Sequence, residues 1–243
     1  MKYYLIPLLV IAIFTFGCKT ESAELEESPR VELGEPLMPD EEWNVGLLIV
    51  DGVYNSELVA PMDIFHHTIF HVEKGMRVFT VAPTREEVTT FEGLKIIPDY
   101  SWNDSLPPIH VLVVPSAEHS MDTDLENVEM MDFVKKTGEQ AEYIMSLCDG
   151  AFVLAKAGLL DGKECTTFPS DIPRFREMFP HLSVHEGVSF VHDGNAITSA
   201  GGAKSYDPAL YLSEILYGNK AARGLGGGLV IDWDVNKVDH FIK

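Results

Sequence analysis

The sequence predicts an α/β fold, a three-layer sandwich with a mainly parallel sheet in the middle layer. Three observations predict it: short apolar runs closed by turn residues, longer segments with apolar residues three and four apart, and alternation of the two across short loops. The first run, Asn44 to Gly52, reads as a buried strand ended by Asp51-Gly52. Glu57 to Ile69 then places Leu58, Met62, Phe65 and Ile69 on one helical face, with Pro61 early enough to be tolerated. Further strands are expected at Arg77 to Ala82, His110 to Pro115, Tyr143 to Leu147, Val188 to Val191 and Ala196 to Ser199. Helices are expected between them at Leu125 to Thr137, Ala151 to Ala157, Ser170 to Met178 and Asp207 to Tyr217. Ligands of such sheets bind beyond the carboxyl ends of the strands, which directs attention to Asp51–Glu57, Pro115–Ser120 and Ser146–Gly150.

Composition limits the function. With 46% hydrophobic and 23% charged residues, 243 residues suit one large domain or two small ones and exclude disorder throughout. A net charge of -20 repels polyanions, so no nucleic-acid partner is expected. Three cysteines cannot make a disulfide framework, and their positions suggest separate roles.

Before the strands, residues 1–18 read as a signal peptide: Lys2, the apolar run Leu5 to Phe16, then Gly17-Cys18. That run is shorter than the roughly 20 residues a spanning helix needs. A cysteine after a small residue here resembles a bacterial lipobox, in which Cys18 is acylated and becomes the mature N-terminus; the alternative is an ordinary signal peptide with an incidental cysteine. Thr15-Phe16 departs from the Leu-Ala usual at those two positions. Residues 19–42, rich in Glu and Asp among Pro29, Pro36 and Pro39, read as an extended, self-repelling tether. The chain is thus expected to be lipid-anchored in a bacterial cell envelope, facing the periplasm or the exterior, with residues 43–243 as the folded domain.

The chemistry is expected at Ser146-Leu147-Cys148-Asp149-Gly150, where a cysteine stands at a turn from strand to helix between small residues. Small neighbours permit the strained backbone of a nucleophile elbow, and the helix N-terminus favours thiolate. The competing reading of Cys148 is an inert core cysteine.

Several ordered runs carry a family likeness. Ser146 to Ala155 with Ala157-Gly158-Leu159-Leu160-Asp161-Gly162 and Thr166-Thr167, the helix start Glu57 to Phe65, and Asp193-Gly194 through Ile197 to Gly201 followed by Asp207-Pro208-Ala209-Leu210 together resemble the ThiJ/PfpI superfamily. The likeness is closest to members related to isonitrile hydratase and to the amidase-like domains of certain transcription regulators. It implies a flavodoxin-like, class I glutamine amidotransferase-like sheet, a homodimer, a small-molecule substrate and no cofactor. It also gives Cys148 the role of nucleophile or redox-sensitive thiol, and Glu57 that of the acid contacting it. Such a carboxyl is expected to keep its proton and donate to the thiolate, since adjacent anions are costly; as a plain first-turn carboxylate, Glu57 would need no such role. Ser116, Ala117 and Gly150 are the expected oxyanion or substrate contacts.

The sequence also departs from the superfamily. Where many members carry His after the paired threonines, this chain has Phe168, in Thr166-Thr167-Phe168-Pro169. Asp149 adds a carboxylate that opposes thiolate formation. His119 is a candidate replacement base, although a lone loop histidine is more often solvated. These departures leave a modest fall of the Cys148 pKa as the expectation. His67 and His71 have metal-like spacing without a third ligand, so they read as helix-end histidines and no metal is expected. Gly224 and Gly226–Gly228 read as a turn, and Cys165 as core.

Overall fold

A computed structural model describes residues 31–243; the signal-peptide segment, Cys18 and the first part of the acidic tether lie outside the described residues. Among the described residues the strands are β1 (Asn44–Leu48), β2 (Arg77–Ala82), β3 (Val88–Thr89), β4 (Lys95–Ile96), β5 (Tyr100–Ser101), β6 (Val111–Val114), β7 (Tyr143–Leu147), β8 (Glu164–Cys165), β9 (Ser183–Val184), β10 (Phe190–Asp193), β11 (Ala196–Ser199) and β12 (His240–Ile242). The α-helices are α1 (Asn55–His67), α2 (Val128–Gly138), α3 (Gly150–Lys156), α4 (Ile172–Met178), α5 (Tyr206–Tyr217) and α6 (Asn219–Gly228).

Eight strands form one sheet in the order β12-β10-β11-β7-β6-β1-β2-β5. All its pairings are parallel except β10 with β11, a hairpin in which Asp193 faces Ala196. Alternation along the strands assigns each side chain to a layer. Val45, Leu47, Val111, Val113, Met145 and Leu147 pack with α1, α5 and α6 on one face. Leu48, Leu112, Val114 and Ile144 pack with α2, α3 and α4 on the other. The expected three-layer sandwich is therefore present.

The elements differ from expectation in instructive places. The strand expected at Val188 to Val191 lies two residues later, because its register is set by the hairpin at Gly194, with φ of 63°. The glycines expected to form a turn lie in α6 instead. Leu225 and Ala222 are buried against the core, and a Cβ on Gly226 would come within 2.9 Å of the Ile231 carbonyl. Tertiary packing thus overrides glycine's weak helix propensity, which costs only about 1 kcal/mol per residue. Residues at the end of the acidic segment lie along α5: the Leu37 and Met38 amides donate to the Ile215 and Leu216 carbonyls at 3.0 and 2.8 Å. No helix among the described residues is long and apolar enough to cross a membrane.

Candidate functional site

The carboxyl ends of β1, β6, β7 and β11, four adjacent strands, come together around Cys148. The loops after β1 and β6 are joined by an antiparallel bridge between Val53 and Ala117. Two further bonds flank it, from the Tyr54 amide to the Ser116 carbonyl and from the Glu118 amide to the Gly52 carbonyl, both 3.0 Å. This pairing presents Tyr54, Ser116 and Glu118 to the end of β7, where the elbow stands.

Cys148 has φ of 55°, the left-handed region that L-residues other than glycine seldom adopt. Its amide donates to the Ser199 carbonyl at 3.0 Å, and its carbonyl accepts from the Thr167 hydroxyl at 3.1 Å. Two glycines make room. A Cβ on Gly150 would lie 2.0 Å from the Val114 carbonyl oxygen, and one on Gly201 would lie 2.3 Å from the Cys148 Cβ. The elbow expected from small flanking residues is therefore present, and Gly150 serves it by allowing α3 to start against β6.

The thiol is buried with carboxylates. Cys148 Sγ donates to Asp149 Oδ2 at 3.7 Å, while Asp149 Oδ1 accepts from the Thr167 hydroxyl at 3.0 Å. Burial, then the charges of Asp149 and Glu57, push the thiol well above its ordinary value near 9. The Asp149 amide and the Ser116 hydroxyl oppose this by hydrogen bonding to the thiolate, but they are outweighed. The modest fall expected for the Cys148 pKa is thus corrected to a rise. A dipole at the start of seven-residue α3 does not compensate for lost water and two nearby anions.

Glu57 is also placed differently from the expectation. Its Oε1 accepts from the Gly202 amide and its Oε2 from the Ser56 hydroxyl, each at 2.8 Å. It ties α1 to the loop after β11 and acts on Cys148 through its charge, while the thiol's hydrogen bond goes to Asp149. The Ala117 amide, an expected oxyanion contact, donates to Ser120 Oγ at 2.8 Å. Ser116 is fully buried, and its hydroxyl has no ordinary partner besides the thiol it faces. His119 lies half-exposed, with Nδ1 3.3 Å from Asp122 Oδ1. Phe168, at the position of the absent histidine, is exposed.

Burial, then the charge of Asp171, raises Asp149 from 3.8 to about 6, while hydrogen bonds from Thr167 and Cys148 pull the other way. Folding therefore binds this proton more tightly than the unfolded chain does. The associated stability is fully present below about pH 4 and is lost as pH rises through about 6. Urea unfolding should show wild type losing about 2–3 kcal/mol relative to Asp149→Asn between pH 4 and 7.5. A constant difference across that range would show that Asp149 has an ordinary carboxyl value.

Tyr54, Thr167, Asp171 and the pair Gly201-Gly202 belong to this site but were not singled out from the sequence. Thr167 and Gly201 lie within the runs carrying the family likeness, and Tyr54 within the flagged loop after β1, so position marked them while contact did not. Of the other sequence candidates, Cys165 is buried in β8, its Sγ donates to the Ser183 carbonyl at 3.7 Å, and burial pushes it up to about 12. The His67 ring packs on Phe70, and His71 packs against Gly224 of α6.

Comparison with known proteins agrees with the fold. Isonitrile hydratase from Pseudomonas putida is 29% identical over 180 residues, 74% of each chain. The HTH-type transcriptional regulator GbdR of Pseudomonas aeruginosa is 26% identical over 164 residues, and the match spans 68% of this chain but only 44% of the regulator. The crystal structure of Drosophila melanogaster DJ-1beta superposes with a TM-score of 0.68 at 23% identity, covering 79% of this chain and all of that one. A family model described as the DJ-1/PfpI family matches residues 44–214, from the start of β1 into α5, and the chain belongs to that family.

Proposed function

We propose that the domain adds the Cys148 thiol to an uncharged unsaturated group of the isonitrile class, carried by a small molecule, and releases the hydrated product. The observation that carries this reading is the neutral thiol in hydrogen-bond contact with Asp149, a carboxyl that exchanges its proton near pH 6. An uncharged thiol adds to an isonitrile carbon only if a proton reaches the same carbon as sulfur attacks. Asp149 stands where it can take the thiol proton and return it. Sulfur bonds to the terminal carbon, the proton joins that carbon, and an N-substituted thioimidate forms. Water then adds across the C=N bond, its oxygen to this carbon and one proton to nitrogen, and the C–S bond breaks as the remaining hydroxyl proton is released. The thiol recovers its proton and an N-substituted formamide leaves. Likeness to isonitrile hydratase supports the substrate class.

The purified protein should convert cyclohexyl isocyanide to N-cyclohexylformamide with saturation, followed by mass spectrometry. Cys148→Ala should lower the rate by at least about 10³-fold. Equal conversion by wild type and variant would remove the cysteine from the reaction. A binding-only role has one observation in its favour, the upward shift of the thiol. Saturable binding without turnover would support that role.

The segment Lys2 to Cys18 and the acidic stretch after it support attachment of the domain to a membrane through acylated Cys18. Full-length protein should sediment with membranes and Cys18→Ser should not. An unmodified Cys18 in the mature chain would contradict attachment.

A further inference from the structure

We infer that the Cys148 site selects substrates with a positively charged group set a few atoms from the reactive carbon, an ammonium-bearing electrophile. The inference rests on the reading of Cys148 as the reacting group, and it specifies which members of the electrophile class enter. Among the described residues, every charge that bears on Tyr54, Cys148 and Asp149 is negative. Glu57 and Asp149 act on the thiol, Asp171 acts on Asp149, and Glu118 joins them at Tyr54. Basic groups on the adjoining loops are engaged elsewhere. Lys204 faces Asp207 at 3.6 Å, Arg174 donates to the Met121 carbonyl at 2.8 Å, and His119 faces Asp122.

The charges are graded with depth. Cys148, Asp149 and Glu57 are buried, Tyr54 and Asp171 are partly covered, and Glu118 is exposed. A cation arriving at the exposed edge of this cluster thus meets a field that strengthens inward, where lower dielectric magnifies each charge. The same edge offers an aromatic surface: the rings of Tyr54 and exposed Phe91 lie 4.8 Å apart, suited to an alkylammonium group by cation–π attraction.

An independent observation points to the other end of such a ligand. The Ser116 hydroxyl is wholly buried beside the thiol and is otherwise unpartnered. Buried hydroxyls are seldom left so. Its proton is available to an electron-rich atom of a bound molecule, since no carboxylate or carbonyl among the described residues accepts it. One ligand satisfies both features: an uncharged unsaturated group at Ser116 and Cys148, and a cation toward Tyr54, Phe91 and Glu118.

The test measures the local field without requiring turnover. Purified full-length protein is treated at low salt with three thiosulfonates: 2-(trimethylammonio)ethyl, 2-sulfonatoethyl and methyl methanethiosulfonate. Peptide mass spectrometry follows Cys148 itself, and each rate is divided by that with free 2-mercaptoethanol. The normalised rate for the cationic reagent should exceed that for the anionic one by about 10- to 100-fold. Glu118→Gln and Phe91→Ala should each lower the ratio by about threefold or more. Glu139→Gln, which changes net charge equally on the exposed end of α2, should leave it within the error of measurement. This last comparison separates the site's field from the overall charge of -20. A wild-type ratio within threefold of one, or equal effects of Glu118→Gln and Glu139→Gln, would overturn the inference. A high ratio without isonitrile turnover would leave the inference standing and refute the proposed reaction. Turnover with a ratio near one would do the reverse.

Discussion

Replacing Gly150 by alanine should destabilise the domain by roughly 4 kcal/mol, a large share of the stability a typical domain has. The added Cβ would lie 2.0 Å from the Val114 carbonyl oxygen and 3.0 Å from its carbon. Both belong to the backbone of a central strand, so no side chain can rotate away, and either α3 must retreat or β6 must shift. Retreat would lift the packed run Ala151 to Ala155 from the second core face, where each residue is buried. Gly227→Ala provides the control, because a Cβ there meets nothing within 4 Å and the residue lies in α6. Both substitutions reduce the freedom of the unfolded chain alike. The control should therefore gain about 0.5–1 kcal/mol while Gly150→Ala loses several. Denaturant titration compares them, and a loss below about 1 kcal/mol for Gly150→Ala would show that α3 does not start against β6.

The second large effect concerns reactivity. Asp149→Asn should accelerate alkylation of Cys148 by iodoacetamide at pH 7.5 by about tenfold or more. The substitution removes the nearer anion opposing thiolate, and one pKa unit corresponds to a tenfold change in thiolate fraction. Glu57→Gln should accelerate it less, because Glu57 is the smaller of the two charge effects on the thiol. If the proposed reaction holds, isonitrile turnover should fall in Asp149→Asn while alkylation rises, because the amide cannot relay the proton. A simple increase in nucleophilicity would raise both. Slower alkylation in Asp149→Asn would mean that Asp149 supports the thiolate.

The elbow was legible in the sequence because it depends on local features. Ser146 and Gly150 stand on either side of a cysteine at the boundary between a strand pattern and a helix pattern, and small residues at such a turn permit a positive φ. The direction of the thiol's shift was not legible. It depends on how fully Cys148 loses water and on whether Asp149 and Glu57 converge on it, and those are properties of four strand ends that lie far apart in sequence. Tyr54 and Asp171 were missed for the same reason, since neither has meaning as a site residue until the Val53–Ala117 bridge and the start of α4 place them. The glycines of α6 were misread because their spacing is a turn signal locally, whereas the contacts of Gly226 with Ile231 and of Gly224 with His71 require small residues within a helix.

Titration of the Cys148 thiol in the wild-type protein, followed by thiolate absorbance near 240 nm with Cys148→Ala as the blank, tests the central claim most directly. The thiol should stay protonated through pH 9 and ionise only above its ordinary value, with Asp149→Asn moving the transition downward. A Cys148 thiolate already formed at or below about pH 8, the range of an activated cysteine, would contradict the account.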